Sequence, residues 1–409
     1  MKRHLIGIGG VGMSALANAM RLTGDEVTGA DRNLATPNVA FLESLGIRVH
    51  PDDGSGIDAA TDEVVVSTAI ESDNPGLAKA AALGIPVTHR AKALARTLSG
   101  RKLVAVVGTC GKSTVTAMLG HVLAECGFDP FCVNGANVPG WQGAVRFGRG
   151  EFAVAEVDES DRSLVAFAPY AAIVTNASAD HYSKEEMDAV FDAFAARCEG
   201  PVIDGRKGID GEFDWSSLAV PVPGEHNRSN AKLAIRMAVA LGAPFGSAVA
   251  AMASFNGVER RLQRHGSRSY DDYAHNPEKI RAMWTTLAAE YPNGICVVWR
   301  PHGYAPLRKM MDALAAMFAE TVRPCDRLLL LPVYDAGGTT DRSVNSDALA
   351  AKLRPESVVC VADLDAAYDW MRTRLADFGA FVTCGARDPD LPRLCRRIAE
   401  AADAVAVAK

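Results

Sequence analysis

Apolar and polar positions fall into a repeating rhythm along the chain, a short apolar run followed by an amphipathic stretch. In the first hundred residues HLIGIG, EVTGAD, EVVVST and IPVTHR read as strands, while 13–22, 39–45 and 77–83 carry helical spacing. Ser99-Gly100-Arg101 is a hinge before a second such series, in which AVAEV and AAIVT are buried strands. A third series runs through SRSYDDY, ICVVWR, RLLLLPV, SVVCVAD and AFVTCG, each followed by a helical segment. Strand–helix alternation predicts mostly parallel sheets with helices on both faces. The expected organisation is three α/β domains over 1–99, 100–257 and 258–409: Rossmann-like, P-loop ATPase-type and again Rossmann-like.

Composition narrows the class. The chain has 409 residues, 48 % of them apolar and 22 % charged, as in an ordinary soluble globular protein. Its net charge of −6 gives no reason to expect nucleic acid, whose binding needs a clustered basic surface, and no apolar run is long enough to cross a bilayer. The nine cysteines are scattered without CxxC pairs, which fits a reducing cytoplasm better than a disulfide framework or a zinc knuckle.

The strongest chemical signal is LVAVVGTCGKST at 103–114, an apolar strand and a glycine turn before Lys112-Ser113-Thr114 open a helix. Backbone N–H groups and a helix N-terminus there cradle phosphates, a lysine spans them, and a hydroxyl reaches magnesium. The glycine of a full Walker A loop is replaced by Val106, so this is the short GTxGK[ST] form, with Gly108, Thr109, Gly111, Lys112, Ser113 and Thr114 as nucleotide contacts.

Other clusters stand at the ends of predicted strands. Gly7-Ile8-Gly9-Gly10-Val11-Gly12 follows the first and Asp31 the second, the arrangement that holds a pyrophosphate and a ribose. Glu156-Val157-Asp158-Glu159-Ser160-Asp161 ends AVAEV, where carboxylates hold magnesium as well as they make a solvated surface. Asn176 and Asp180-His181 end the next strand, and His181 is a candidate metal ligand. Asn227 and Ser229 precede or cap the helix AKLAIRMAVALG, Arg260-Arg261 lies just before the strands of the third block, and Tyr270–Pro277 lies within it.

Taken together, GIGGVGMSALA, STAIESDNP, His89-Arg90-Ala91, GTCGKST, AEVDESD, the VTN…DH pair, GEHNRSNA, GVERRLQ and DDYAHNP resemble the Mur ligase family, most closely its alanine-adding branch. The likeness runs through all three blocks in order. It implies an ATP-dependent ligase of peptidoglycan precursor synthesis. Such an enzyme joins the carboxylate of a UDP-N-acetylmuramate-type sugar nucleotide to an amino acid through an acyl phosphate. By motif position, the resemblance assigns Gly9, Gly10, Gly12, Asp31, Ser67 and Arg90 to the UDP-sugar. Lys112 clamps the β/γ-phosphates, and Ser113, Glu156 and His181 bind magnesium, with Lys112, Glu156 and His181 catalytic. Asn227 and Asn230 meet adenine, and Arg261, Asp272 and His275 complete the nucleotide contacts. Tyr273, His302 and Arg308 go to the substrate side. The domains close to exclude water, in a monomer or homodimer.

Two departures from the family pattern are visible. DAFAARCEG has Arg197 and no lysine where several members carry a carbamylated one, as the alanine-adding branch also lacks it. In PHGYAPLR, Gly303 and Pro306 stand where that branch has arginines for the amino-acid carboxylate, leaving Arg300 or Arg308 to compensate. The incoming amine is therefore open between L-alanine and another amino acid or peptide. A non-catalytic UDP-sugar sensor and a nicotinamide dehydrogenase are the rival classes. The second does not explain Lys112 or the acidic cluster.

Overall fold

The computed structural model describes residues 1–158, 163–177, 184–209, 211, 213–335, 341–386 and 388–407. Its first sheet contains β1 (Lys2–Ile6), β2 (Glu26–Asp31), β3 (Arg48–Pro51), β4 (Glu63–Val66) and β5 (Val87–His89), all parallel in the order β3-β2-β1-β4-β5. Helices α1 (Val11–Leu22), α2 (Pro37–Ser44), α3 (Pro75–Leu83) and α4 (Arg90–Thr97) connect or follow these strands. The order reverses between β1 and β4, so a crevice opens beyond their carboxyl ends, where Gly7–Gly12 and Ser67 lie.

The second sheet has β6 (Lys102–Val107), β7 (Phe131–Val133), β8 (Val145–Arg146), β9 (Phe152–Glu156), β10 (Ala171–Val174) and β11 (Val202–Asp204), ordered β11-β10-β6-β9-β7-β8. Only the β7–β8 pair is antiparallel. Helices α5 (Lys112–Glu125), α6 (Lys184–Ala195), α7 (Glu225–Ala240) and α8 (Phe245–Met252) accompany it. β6 lies between β9 and β10, so the turn after β6 has a strand end on either side.

The third sheet runs β12-β13-β17-β14-β15-β16, from β12 (Gln263–His265), β13 (Ser269–Asp272), β14 (Ile295–Trp299), β15 (Arg327–Leu330), β16 (Val358–Cys360) and β17 (Ala380–Cys384). All of its pairs are parallel except β12–β13. Helices α9 (Pro277–Glu290), α10 (Tyr304–Thr321), α11 (Ser346–Ala350), α12 (Leu364–Arg372) and α13 (Leu391–Val407) flank it. The expected rhythm is thus present three times. The strands that the pattern did not mark, β3, β7, β8, β11 and β12, have two to four residues each. Runs that short carry no readable period.

The chain forms two compact units, Met1–Pro221 with His226–Val258, and Val222–Glu225 with Glu259–Lys409. The first unit contains both of the first two sheets. Ala15, Ala19, Ala91 and Leu98 share one buried cluster with Leu103, Val133, Val145 and Phe167 of the central block. Small side chains on α1 allow this close approach, and every residue from Met13 to Met20 is buried. Asn18 Nδ2 also donates to the carbonyl of Gln142 at 3.1 Å, and Arg21 reaches Gln142 Oε1 at 3.2 Å.

In the second unit the base of the sheet is tied by one carboxylate. Asp326, fully buried, accepts from Trp284 Nε1 and from Ile295 N, both at 2.9 Å, and pairs with Arg323 at 2.8 Å. Burial works against the charge, yet bonds from Arg323 and Trp284 hold this carboxyl below the usual carboxylate range. Its contribution to stability is present above the unfolded pKa and is lost as pH falls through the folded one. Asp326→Ala orphans two buried donors and is expected to cost about 3 kcal/mol in urea denaturation of this unit. An unchanged midpoint would show that the cluster contributes nothing.

Candidate active site

β6 ends at Val107 and α5 starts at Lys112, so four residues make the turn. Gly108 and Gly111 take φ of 130° and 83°, a region that disfavours side chains. A Cβ on Gly108 would lie 2.1 Å from Thr175 Oγ1, and one on Gly111 would lie 2.9 Å from Asn230 Oδ1. Both glycines are therefore favoured by conformation, and Gly108 by space as well. The first N–H acceptor bond inside α5 is Val115 N to Gly111 O, which leaves the N–H groups of its first turn without intrahelical partners. A glycine turn that opens a helix in this way is an arrangement that can take an anion. Lys112 Nζ donates to the Gly108 carbonyl at 2.6 Å, so its ammonium lies back over the turn, and Ser113 and Thr114 are buried beneath it.

Glu156 ends β9 beside β6, opposite Val106 in the parallel register. Its Oε2 accepts from Gly135 N at 2.9 Å, and a Cβ at Gly135 would collide with that carboxylate at 2.4 Å. The carboxylate is thereby fixed at the same sheet edge as the glycine turn. Ser113 and Glu156 are hard oxygen donors of the type magnesium takes. His181, with Asp180, Glu159 and Asp161, lies outside the described residues. Among the described residues no group of three or more His, Cys, Asp or Glu could hold a metal. Asn227 and Asn230 sit buried within α7 rather than at its cap, with Asn230 Nδ2 donating to Asn227 Oδ1 at 3.3 Å.

At the first sheet, Asp31 turns inward. Its Oδ2 accepts from Gly9 N at 2.8 Å and its Oδ1 from Asn33 N at 2.9 Å, so it shapes the glycine turn. A Cβ on Gly12 would meet Arg90 Nη1 at 2.4 Å, which places this guanidinium against the start of α1. Gly10 caps α1 without a side-chain bond. Ser67 follows β4, and its hydroxyl oxygen accepts from Ala69 N at 3.4 Å.

In the second unit the two adjacent arginines separate in role. Arg260 Nε pairs with Asp271 at 2.9 Å, Asp271 also accepts from Thr383 Oγ1 at 2.7 Å, and Arg260 Nη2 donates to Gly385 O at 2.5 Å. Arg260 is consumed inside the fold. Arg261 lies over the Tyr273 ring at 5.4 Å, a ring that Arg260 also faces, at 5.1 Å. Asp272 is buried, with Oδ2 accepting from Leu262 N and Oδ1 from Ala274 N, both at 2.7 Å. Burial pushes its carboxyl up to about 6, with Arg261 opposing. Asp272 thus braces the turn around residues 260–274. His275 is driven down to about 4 by burial, while its Nδ1–H donates to the Tyr273 carbonyl at 2.9 Å and its ring stands 5.0 Å from that of His302.

α10 begins just after Gly303, where an added methyl would meet Pro306 only at 3.4 Å, so space does not demand a glycine there. Arg308 pairs with Asp341 at 2.7 Å, and Arg300 with Asp388 at 2.7 Å. Sequence reasoning missed Arg342, whose guanidinium lies 5.7 Å over the Tyr304 ring and pairs with Asp335 at 2.8 Å. No local pattern marked it, since it comes from the segment after β15.

The model of the Mur ligase family catalytic domain matches residues 2–102, and that of the Mur ligase glutamate ligase domain matches residues 259–387. A UDP-N-acetylmuramate–L-alanine ligase of Paenarthrobacter aurescens is 35 % identical, over 88 % of this chain and 91 % of the relative. The same-named protein of Solidesulfovibrio magneticus is 32 % identical, over 88 % and 89 %. The chain belongs to the Mur ligase family. Its fold also matches the crystal structure of the UDP-N-acetylmuramate–alanine ligase of Thermotoga maritima, with a TM-score of 0.79 and 24 % identity over 99 % of this chain and 100 % of that one.

Within this Mur ligase the raised Asp272 makes a testable signature. Between about pH 4, where the unfolded carboxyl titrates, and about 6, the folded state holds a proton that the unfolded chain has lost, so stability falls as pH rises. Asp272→Asn should remove that slope, a difference of about 2–3 kcal/mol across the window in urea unfolding. Parallel pH profiles for the two proteins would contradict it.

Proposed function

We propose that this Mur ligase uses ATP to join the carboxylate of a UDP-N-acetylmuramate-type sugar nucleotide to the amino group of an amino acid, with L-alanine as the amine, in the cytoplasm. The observation that carries the reading is the turn at 108–114, an anion cradle on the same sheet edge as Glu156.

A carboxylate is a poor electrophile, and transfer of the γ-phosphoryl group makes it an acyl phosphate. That transfer brings two anions together, so fixed cations and N–H dipoles must face the accumulating charge. Lys112 and the first-turn N–H groups of α5 serve that purpose. The amine then adds to the acyl carbon, and collapse of the tetrahedral adduct forms the amide and expels phosphate. Ser113 and Glu156 would hold magnesium, which when bound supplies charge neutralisation on the phosphates. At the first sheet, the crevice between β1 and β4, the first turn of α1 and Arg90 suit the UDP moiety. Arg261 and His275 contribute to the nucleotide side. Arg308 and Arg342 place guanidinium groups by α10, which supports recognition of an α-carboxylate despite Gly303 and Pro306. Those two positions also favour a second reading, in which the amine is a different amino acid or a peptide.

Phosphate release measured with UDP-N-acetylmuramate and each amino acid in turn identifies the amine, and L-alanine should give the highest kcat/KM. Lys112→Ala should abolish release while leaving UDP-sugar affinity within about threefold, since the lysine lies on the phosphate turn of β6 and not at the first sheet. Loss of both would overturn the assignment of the two sheets.

A further inference from the structure

The phosphate turn is held from one side by the end of β10. Thr175 N continues the strand ladder to Val107 O at 2.9 Å, and Thr175 Oγ1 donates to the Cys110 carbonyl at 2.7 Å. Asn176 does more. Its Oδ1 accepts from Thr109 Oγ1 at 2.6 Å and from Cys110 N at 3.0 Å, its Nδ2 donates to Cys110 O at 2.9 Å, and its own carbonyl accepts from Thr109 N at 3.3 Å. Both backbone polar groups of Cys110 and both donors of Thr109 are thereby committed to two consecutive residues just past the end of β10.

This pattern has a chemical consequence. A four-residue turn with two glycines at positive φ has many conformations of similar energy, and most aim its amides away from a common point. Fixing Thr109 and Cys110 toward Asn176 removes that freedom and leaves the first-turn N–H groups of α5 to face an anion. The Asn176 amide bonds to the turn through both its oxygen and its nitrogen, so it can act on the nucleotide through the backbone it holds.

We infer that Thr175 and Asn176 form a clamp that positions the phosphate turn for ATP, making Asn176 a positioning residue of the ligase reaction. The inference rests on the proposed ATP-dependent activity for its kinetic readout, though not for its binding readout. In a preorganised site, a displacement of about 1 Å can cost roughly a hundredfold in rate.

The test compares Asn176→Ala and the near-isosteric Thr175→Val with the wild type. Phosphate release is measured against ATP concentration with the other substrates saturating, and thermal unfolding is measured against Mg-ATP concentration. Asn176→Ala should lower kcat/KM for ATP by roughly 10–100-fold, and Thr175→Val by a few-fold. The KM for the UDP-sugar should stay unchanged in both, and the Mg-ATP needed for half of the thermal shift should rise in parallel. A purely structural role would lower the melting temperature and leave the ATP dependence alone. Folded variants whose ATP dependence stays within twofold of wild type would overturn the clamp. If Asn176→Ala does not fold, Thr175→Val decides by the same criterion. If the wild type releases no phosphate, the proposed reaction fails, and the Mg-ATP thermal shift still tests the clamp by itself.

Discussion

The turn between β6 and α5 can exist only because a neighbouring strand end leaves room for it and bonds to it. Gly108 lies where any Cβ would strike Thr175, and the peptide of Cys110 is taken up by Thr175 and Asn176. An anion site made from backbone dipoles works only if those dipoles are fixed before the anion arrives, because reorganising them would consume the binding energy. The strand order of the second sheet is what permits this. With β6 between β9 and β10, the turn has the Asn176 bonds on one side and Glu156 on the other.

Similar economy appears at the other two sheets, where polar groups that could be taken for ligand contacts hold backbone. Asp31 shapes the glycine turn after β1, and Asp272 spans the amides of Leu262 and Ala274. Arg260 and Leu262 take positive φ, at 59° and 48°, a conformation that needs support around it. The buried Arg260–Asp271 pair supplies that support and leaves the neighbouring Arg261 against Tyr273. Near α10, Arg308 and Arg342 are each paired with an aspartate, Asp341 and Asp335, which fixes where their guanidinium groups lie.

Family membership was legible from local strings, because glycine turns, catalytic lysines and acid clusters occupy contiguous residues. The three strand–helix series were legible as well, since a buried parallel strand writes a continuous apolar run. Short edge strands such as β3 and β12 were not, because two to four residues hold no period. Nor was the role of each charged residue. Arg260 and Arg261 look alike in sequence, and the fold alone pairs the first with the buried Asp271 while both guanidinium groups face the Tyr273 ring.

By itself, then, the chain determined that a glycine turn and a lysine would follow β6, that an acid would stand at the end of β9, and that three mostly parallel α/β blocks would follow one another. These are properties of neighbours in sequence. The tertiary structure decided which strand ends flank the turn, that Asn176 holds it, and that the guanidinium of Arg342 lies over the Tyr304 ring. Those contacts join residues tens of positions apart, and only sheet order and packing bring such residues within hydrogen-bonding or stacking distance.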